Sequence, residues 1–246
     1  MSVINNSINN SVGASNSGAT NTLTIDNSSN TASSSALQNI KVGGTSAGDA
    51  FQTFTVTGTT NWSQGIDNSV TGDPFVLAAS TALGTTNVIS AATTGEINYP
   101  LQPTFNAYLS ANASNVTGDG TAYVVVFNAE RFDVGSDFDT STGIYTFPVE
   151  GIYVLTAVIS FQEIGVAHTS LVIQFVAAGV TQEIHTINPT VVAVGGVYVY
   201  TAAIVIKAGA GNTAKVQVTV SGSTKTVDLR GNALGNVCNF SGFLLG

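Results

Sequence analysis

The chain has 246 residues, of which 8% are charged, against about 25% in an ordinary soluble domain. Its net charge is −8, and its six cations, Lys41, Arg131, Lys207, Lys215, Lys225 and Arg230, are scattered, which excludes the basic patch that nucleic-acid binding needs. No apolar run approaches the ~20 residues of a membrane span, and a surface so poor in charge points to extensive burial between subunits.

Residues 1–40 contain no aromatic residue and are dominated by Asn, Ser, Thr, Ala and Gly. Such a segment cannot by itself offset its ordering entropy, so it is expected to be disordered or held by a partner, as an attachment arm. Its start, Met1-Ser2-Val3-Ile4-Asn5-Asn6, has neither a basic nor an apolar signal-peptide region, so the chain is expected to be made and assembled in a cytoplasm.

Residues 41–102 read as short β-strands separated by Gly- or Asn-rich turns such as Gly58-Thr59-Thr60-Asn61 and Gly84-Thr85-Thr86-Asn87. Each run holds too few apolar residues for a complete core, and three copies around one axis would give them a shared one. Asn61-Trp62-Ser63-Gln64-Gly65-Ile66-Asp67-Asn68-Ser69, Asp73-Pro74-Phe75-Val76-Leu77-Ala78 and Ala82-Leu83-Gly84-Thr85-Thr86-Asn87-Val88-Ile89 resemble shaft segments of phage tail fibres and related bacterial trimeric fibres. The run then meets Tyr99-Pro100-Leu101-Gln102-Pro103, where two prolines disfavour helix and mark a junction.

Residues 103–246 carry strand-like runs at Phe105–Leu109, Ala122–Phe127, Ile144–Phe147, Gly151–Phe161, Ser170–Val176, Glu183–Ile187, Val197–Ile206, Ala214–Val220 and Val237–Leu245. Val, Ile, Tyr, Phe and Thr dominate and helical periodicity is absent, which suits a two-sheet jelly roll. Two motifs stand out. One is Asp139-Thr140-Ser141-Thr142-Gly143-Ile144-Tyr145-Thr146-Phe147-Pro148-Val149-Glu150-Gly151-Ile152-Tyr153; the other is the ending Phe240-Ser241-Gly242-Phe243-Leu244-Leu245. Together they resemble the C1q-like branch of the C1q/TNF superfamily. The resemblance implies an all-β jelly-roll head, a homotrimer, loops that bind, and no catalysis. It places Tyr145, Phe147, Tyr153, Phe161, Tyr200, Phe240 and Phe243 in core and trimer-axis packing.

Chemistry is sparse. His168 and His185 flank one expected hairpin, and there is no zinc-ligand spacing or phosphate loop. Glu130, Glu150, Glu163 and Glu183 are isolated, whereas glycan cleavage needs paired carboxylates. Cys238 stands alone in an alternating strand and reads as a buried core thiol. Asp133, Asp137 and Asp139 share one loop and are weak calcium candidates; otherwise no metal or cofactor is expected. Because loops at jelly-roll ends carry function, Asp119, Ser136, Asp137, His168, Thr169, Asn188 and Thr190 are the receptor-binding candidates. The expected function is a trimeric virion fibre or spike, arm on the particle and head on a host-surface receptor or glycan. A bacterial surface or filament adhesin is the alternative.

Overall fold

A computed structural model describes residues 25–189 and 196–246; it contains strands and turns and, among those residues, no α-helix. Among the described residues no helix is long and apolar enough to cross a membrane. Residues 1–24 of the expected arm and Thr190 lie outside the described residues.

Five strands form the first sheet as an antiparallel meander: β1 (Ala50–Thr55), β2 (Asn61–Ile66), β3 (Phe75–Ala78), β4 (Asn87–Ala91) and β5 (Ile97–Asn98). One of its faces buries Val76, Ala78 and Leu83, with Phe51 packed against them. Leu83 reaches this face from the turn that joins β3 to β4.

The second region is built from two packed sheets. One contains β10 (Phe138–Asp139), β11 (Ile144–Thr146), β16 (Thr213–Ser221), β13 (Ser170–Ala177) and β14 (Val180–Ile187), with β8 (Ala122–Val124) also on β16. The other runs β7 (Ala113–Thr117), β17 (Val227–Leu229), β12 (Gly151–Gln162), β18 (Asn239–Leu244), β6 (Thr104–Tyr108) and β9 (Ala129–Val134), with β15 (Tyr198–Ala208) on the other edge of β12. Alternation drives the sandwich, because successive side chains on a strand point to opposite faces. On β12, Tyr153, Leu155, Ala157, Ile159 and Phe161 are buried; on β13, Leu171, Ile173, Phe175 and Ala177 face them from the other sheet.

Aromatic rings join the two layers. Phe105 stacks on Tyr145 at 4.2 Å and meets Phe240 edge-on at 4.9 Å, and Phe147 meets Tyr153 at 4.6 Å. Gly242 follows from this packing: a Cβ there would stand 2.6 Å from Phe105 Cε1 and 2.7 Å from Leu155 Cδ2. The other motif builds the turn between β10 and β11. Asp139 Oδ1 accepts from the Ser141 amide (2.8 Å) and hydroxyl (2.6 Å), and Oδ2 accepts from Thr142 Oγ1 (2.8 Å). Gly143 closes the turn at φ 72, where a Cβ would lie 2.3 Å from the Val125 carbonyl oxygen.

Sequence patterning missed β7, β9, β10 and β17. Their runs, such as Ala113-Ser114-Asn115-Val116-Thr117 and Ala129-Glu130-Arg131-Phe132-Asp133-Val134, are polar or mixed and lack clean alternation. They are strands because a neighbouring edge supplies backbone partners. Conversely, the expected strand over Ala122–Phe127 stops at Val124, although Val125 and Phe127 are fully buried.

Phe240→Ala removes the ring that touches Phe105, Phe127, Phe138 and Phe175. It is expected to cost roughly 3–5 kcal/mol, read as a lower urea midpoint for this region with an unchanged slope.

Candidate functional site

The feature that stands out is a sheet face. Opposite the buried residues of β12 are Ile152, Val154, Thr156 and Val158. Register sets Val154 beside Val205 and Phe243, Thr156 beside Ala203 and Ser241, and Val158 beside Thr201 and Asn239. Val205 is 62% exposed, Val199 51%, and Ile152 and Phe243 43% each. The strands β15, β12 and β18 put one ion on this face, Lys207, and it pairs with Glu150 at 3.0 Å. A nearly uncharged face that exposes several Val, Ile and Phe side chains suits an interface. Of the positions expected in core or axis packing, Tyr145, Phe147, Tyr153, Phe161 and Phe240 are inside, whereas Phe243 is on this outer face.

At the open edge of the sandwich, His185 on β14 clasps β15 of the other sheet. Its ring stacks on Tyr200 at 3.9 Å, and Tyr198 Oη lies 2.6 Å from His185 Nε2. Tyr200 Oη donates to the Ile184 carbonyl at 3.3 Å. Histidine here is a fastener between sheets.

The loop candidates divide between two ends. Register sets Ser170 opposite Ser221 and Leu171 opposite Ile187, so Asp119, His168, Thr169 and Asn188 gather at the Ser221 end of β16. Gly118 is close enough that a Cβ on it would lie 3.1 Å from His168 Nε2. Ser136 and Asp137 precede β10, which joins through β11 the Ala214 end of β16. Asp119 is exposed and accepts from the Thr121 amide at 2.9 Å; hydrogen bonds from Thr121 hold its carboxyl below the usual range. Thr169 is exposed and its amide donates to the Ser221 carbonyl. Ser136 is an exposed turn residue at φ 58.

His168 corrects an expectation. It is 2% exposed, and its Nδ1 accepts from the Gly165 amide at 2.9 Å. The loop folds over the ring, so His168 shapes this end from within and is not a surface contact. The two histidines also take separate partners, one in a loop and one across the sheets.

The three aspartates do not form a calcium ligand set. Asp139 spends both oxygens on Ser141 and Thr142, and Asp133 Oδ2 accepts from the Phe138 amide at 2.8 Å. Among the described residues no group of three or more His, Cys, Asp or Glu is placed to hold a metal. Asp133 and Asp137 do interact: burial, followed by the Asp133 charge, raises the carboxyls of Asp137 and Glu130 above the usual range. Cys238 is fully buried, and burial pushes its thiol up to about 11.

Sequence reasoning did not pick out Asp228. Its carboxylate accepts from the Asn115 amide (2.7 Å) and Gln162 Nε2 (3.0 Å), pinning β7 to the sheet. No local pattern signals it, since its partners are distant in sequence. The outer face did carry a signal: in Tyr198–Ala208 apolar residues stand on both faces, with Thr201 and Lys207 the exceptions on the outer one, a pattern of strands largely covered on both sides.

Residues 105–245 match the model of the C1q domain. The chain belongs to the C1q domain family. No curated protein matches its sequence. Among solved structures, the globular domain of zebrafish complement 1qA matches with 18% identity and a TM-score of 0.42, covering 59% of this chain and 98% of that one. Murine APRIL matches with 12% identity and a TM-score of 0.40, covering 58% and 99%. The PRD1 vertex protein P5 matches with 9% identity and a TM-score of 0.46, covering 68% and 87%. C1q and TNF-like domains are generally non-enzymatic structural or ligand-binding modules and are typically homotrimeric.

In this C1q domain, Asp133→Asn keeps an acceptor for the Phe138 amide and removes the charge facing Asp137 and Glu130. Both carboxyls are then expected to titrate closer to their ordinary values by NMR. Because their folded values are raised, they favour the fold as pH falls through them, and the variant's stability should change less across that acidic window.

Proposed function

We propose that the chain is a homotrimeric fibre or spike protein of a virion, with its C1q head presented to a host-surface receptor or glycan. The observation that carries this is the nearly uncharged face of Ile152, Val154, Val199, Val205 and Phe243. The family's usual trimeric state supports a second and third copy as its occupants. A trimer displays three equal sets of loops, so weak contacts to a cell surface add by avidity.

The arm of residues 1–40 attaches to the particle, and residues 41–102 act as stem. The tail-fibre resemblance of the stem favours a particle over a bacterial filament. Of the four glutamates weighed for catalysis, Glu150 pairs with Lys207 and Glu183 accepts from Thr186.

Light scattering of the full chain is expected to give three times 25.0 kDa. Val205→Glu would bury three carboxylates without partners, a cost of several kcal/mol per ion, and should shift the mass toward one chain while the fold's circular dichroism persists. A wild-type monomer would overturn the trimer. Labelled full chain should bind host cells and, unlabelled, block particle adsorption; a trimer that does neither loses the receptor role and keeps the structural one.

A further inference from the structure

The first sheet has a face that the described residues leave largely open. Register places Phe54 opposite Trp62, Gln52 opposite Gln64, and Ala50 opposite Ile66. The same face continues through Ile66 and Phe75, Gln64 and Leu77, Leu77 and Ile89, and Ala91 and Ile97. Phe54 is 52% exposed, Trp62 37%, Ile66 38%, Phe75 47% and Ile97 60%. These large exposed apolar side chains stand on one side of the sheet, and no charged residue stands among them. The opposite side is already covered by Leu83.

The imbalance is physical. A core of Val76, Ala78 and Leu83 is too small to order a five-stranded sheet in water. Phe54, Trp62 and Phe75 alone leave roughly 300 Å² of ring surface open. An open groove of about 290 Å³ lies between Gln38 and Ile40 and the strands β1 to β3, where Gln52, Gln64, Ile66 and Phe75 line it together with Ala50, Phe51 and Gly65.

The one polar layer is informative. Gln64 Nε2 donates to Gln52 Oε1 at 3.3 Å, which leaves the Gln64 carbonyl and the Gln52 amide hydrogens to other partners. Buried amides need such partners. The same pair on a neighbouring copy, held at the same height, supplies both an acceptor and a donor. A polar layer in an otherwise apolar seam is a known way to specify register.

We propose that the Phe54–Trp62–Phe75 face packs against the same face of two further copies of this chain, and that the Gln52–Gln64 pair sets the register between them. The contact rests on the homotrimer proposed above, because a trimeric head holds three such sheets at high local concentration. It completes the core that one chain lacks and explains why the face is uncharged.

Trp62 is the only tryptophan in the chain and reports directly on this contact. Emission and acrylamide quenching would be measured on the full chain in the sample used for light scattering. A three-chain mass with blue-shifted emission and quenching several-fold below that of the denatured chain is expected. A three-chain mass with readily quenched Trp62 overturns the contact and leaves the homotrimer standing; a monomer overturns both. Protection that appears only on adding a neutral glucan oligosaccharide also overturns it, in favour of a sugar platform.

Ala50→Cys, on the same face beside Ile66 and leaving the Gln52–Gln64 pair intact, tests register, since Cys238 is buried and is the only other cysteine. Mild oxidation should link equivalent residues of two chains. Adding Gln64→Leu should lower that yield several-fold while Trp62 stays protected. An unchanged yield overturns the register role, and an absence of links in the Ala50→Cys chain overturns the shared face.

Discussion

The ring of Phe240 is where the two layers of the C1q head meet. It packs against Phe105, Phe127, Phe138 and Phe175, which come from both sheets and from the segment between them. Gly242, two residues on, leaves the space that Phe105 and Leu155 occupy. With these contacts made, the inward side of β12 and β18 is settled. Their outward side is then settled too, because side chains on a strand alternate. The display of Val154 and Phe243 is a consequence of burying Tyr153, Leu155 and Phe240.

The same constraint acts on the first sheet with a different result. There the buried side is small, and the larger apolar side is the one left open. Low charge across the chain thus has a spatial meaning, since both modules present a sheet face with almost no ions. Desolvating charge is expensive, whereas joining apolar faces is favourable at about 25 cal/mol per Å². A chain built this way gains stability by assembling.

The loops, by contrast, are held by local polar contacts: Asp139 with Ser141 and Thr142, Asp228 with the Asn115 amide, and Gly165 with His168. They are tied firmly and differ in chemistry at the two ends of the sandwich. One end offers Asp119, Thr169 and Asn188; the other offers Ser136 and Asp137 beside the mutually repelling Asp133. The two groups stand at opposite ends of β16.

Alternation and turn chemistry were legible in the residues. Gly151–Phe161 and Ser170–Val176 read as strands because apolar residues recur at every second position, and Asp139 to Gly143 read as a turn because those residue types close one. The all-β class and the buried Cys238 followed from such local patterns, and the C1q-like head from the resemblance of residues 139–153 and 240–245 to that family. Partners distant in the chain were decided only by the tertiary structure. Polar β7 and β9 are strands because neighbouring edges accept them. His168 is inside because the Gly118 and Gly222 loops close over it, and Asp228 is an anchor because Asn115 is brought to it. Whether a position belongs to a strand depends on neighbouring residues. Which face of that strand is covered depends on what the rest of the chain places there.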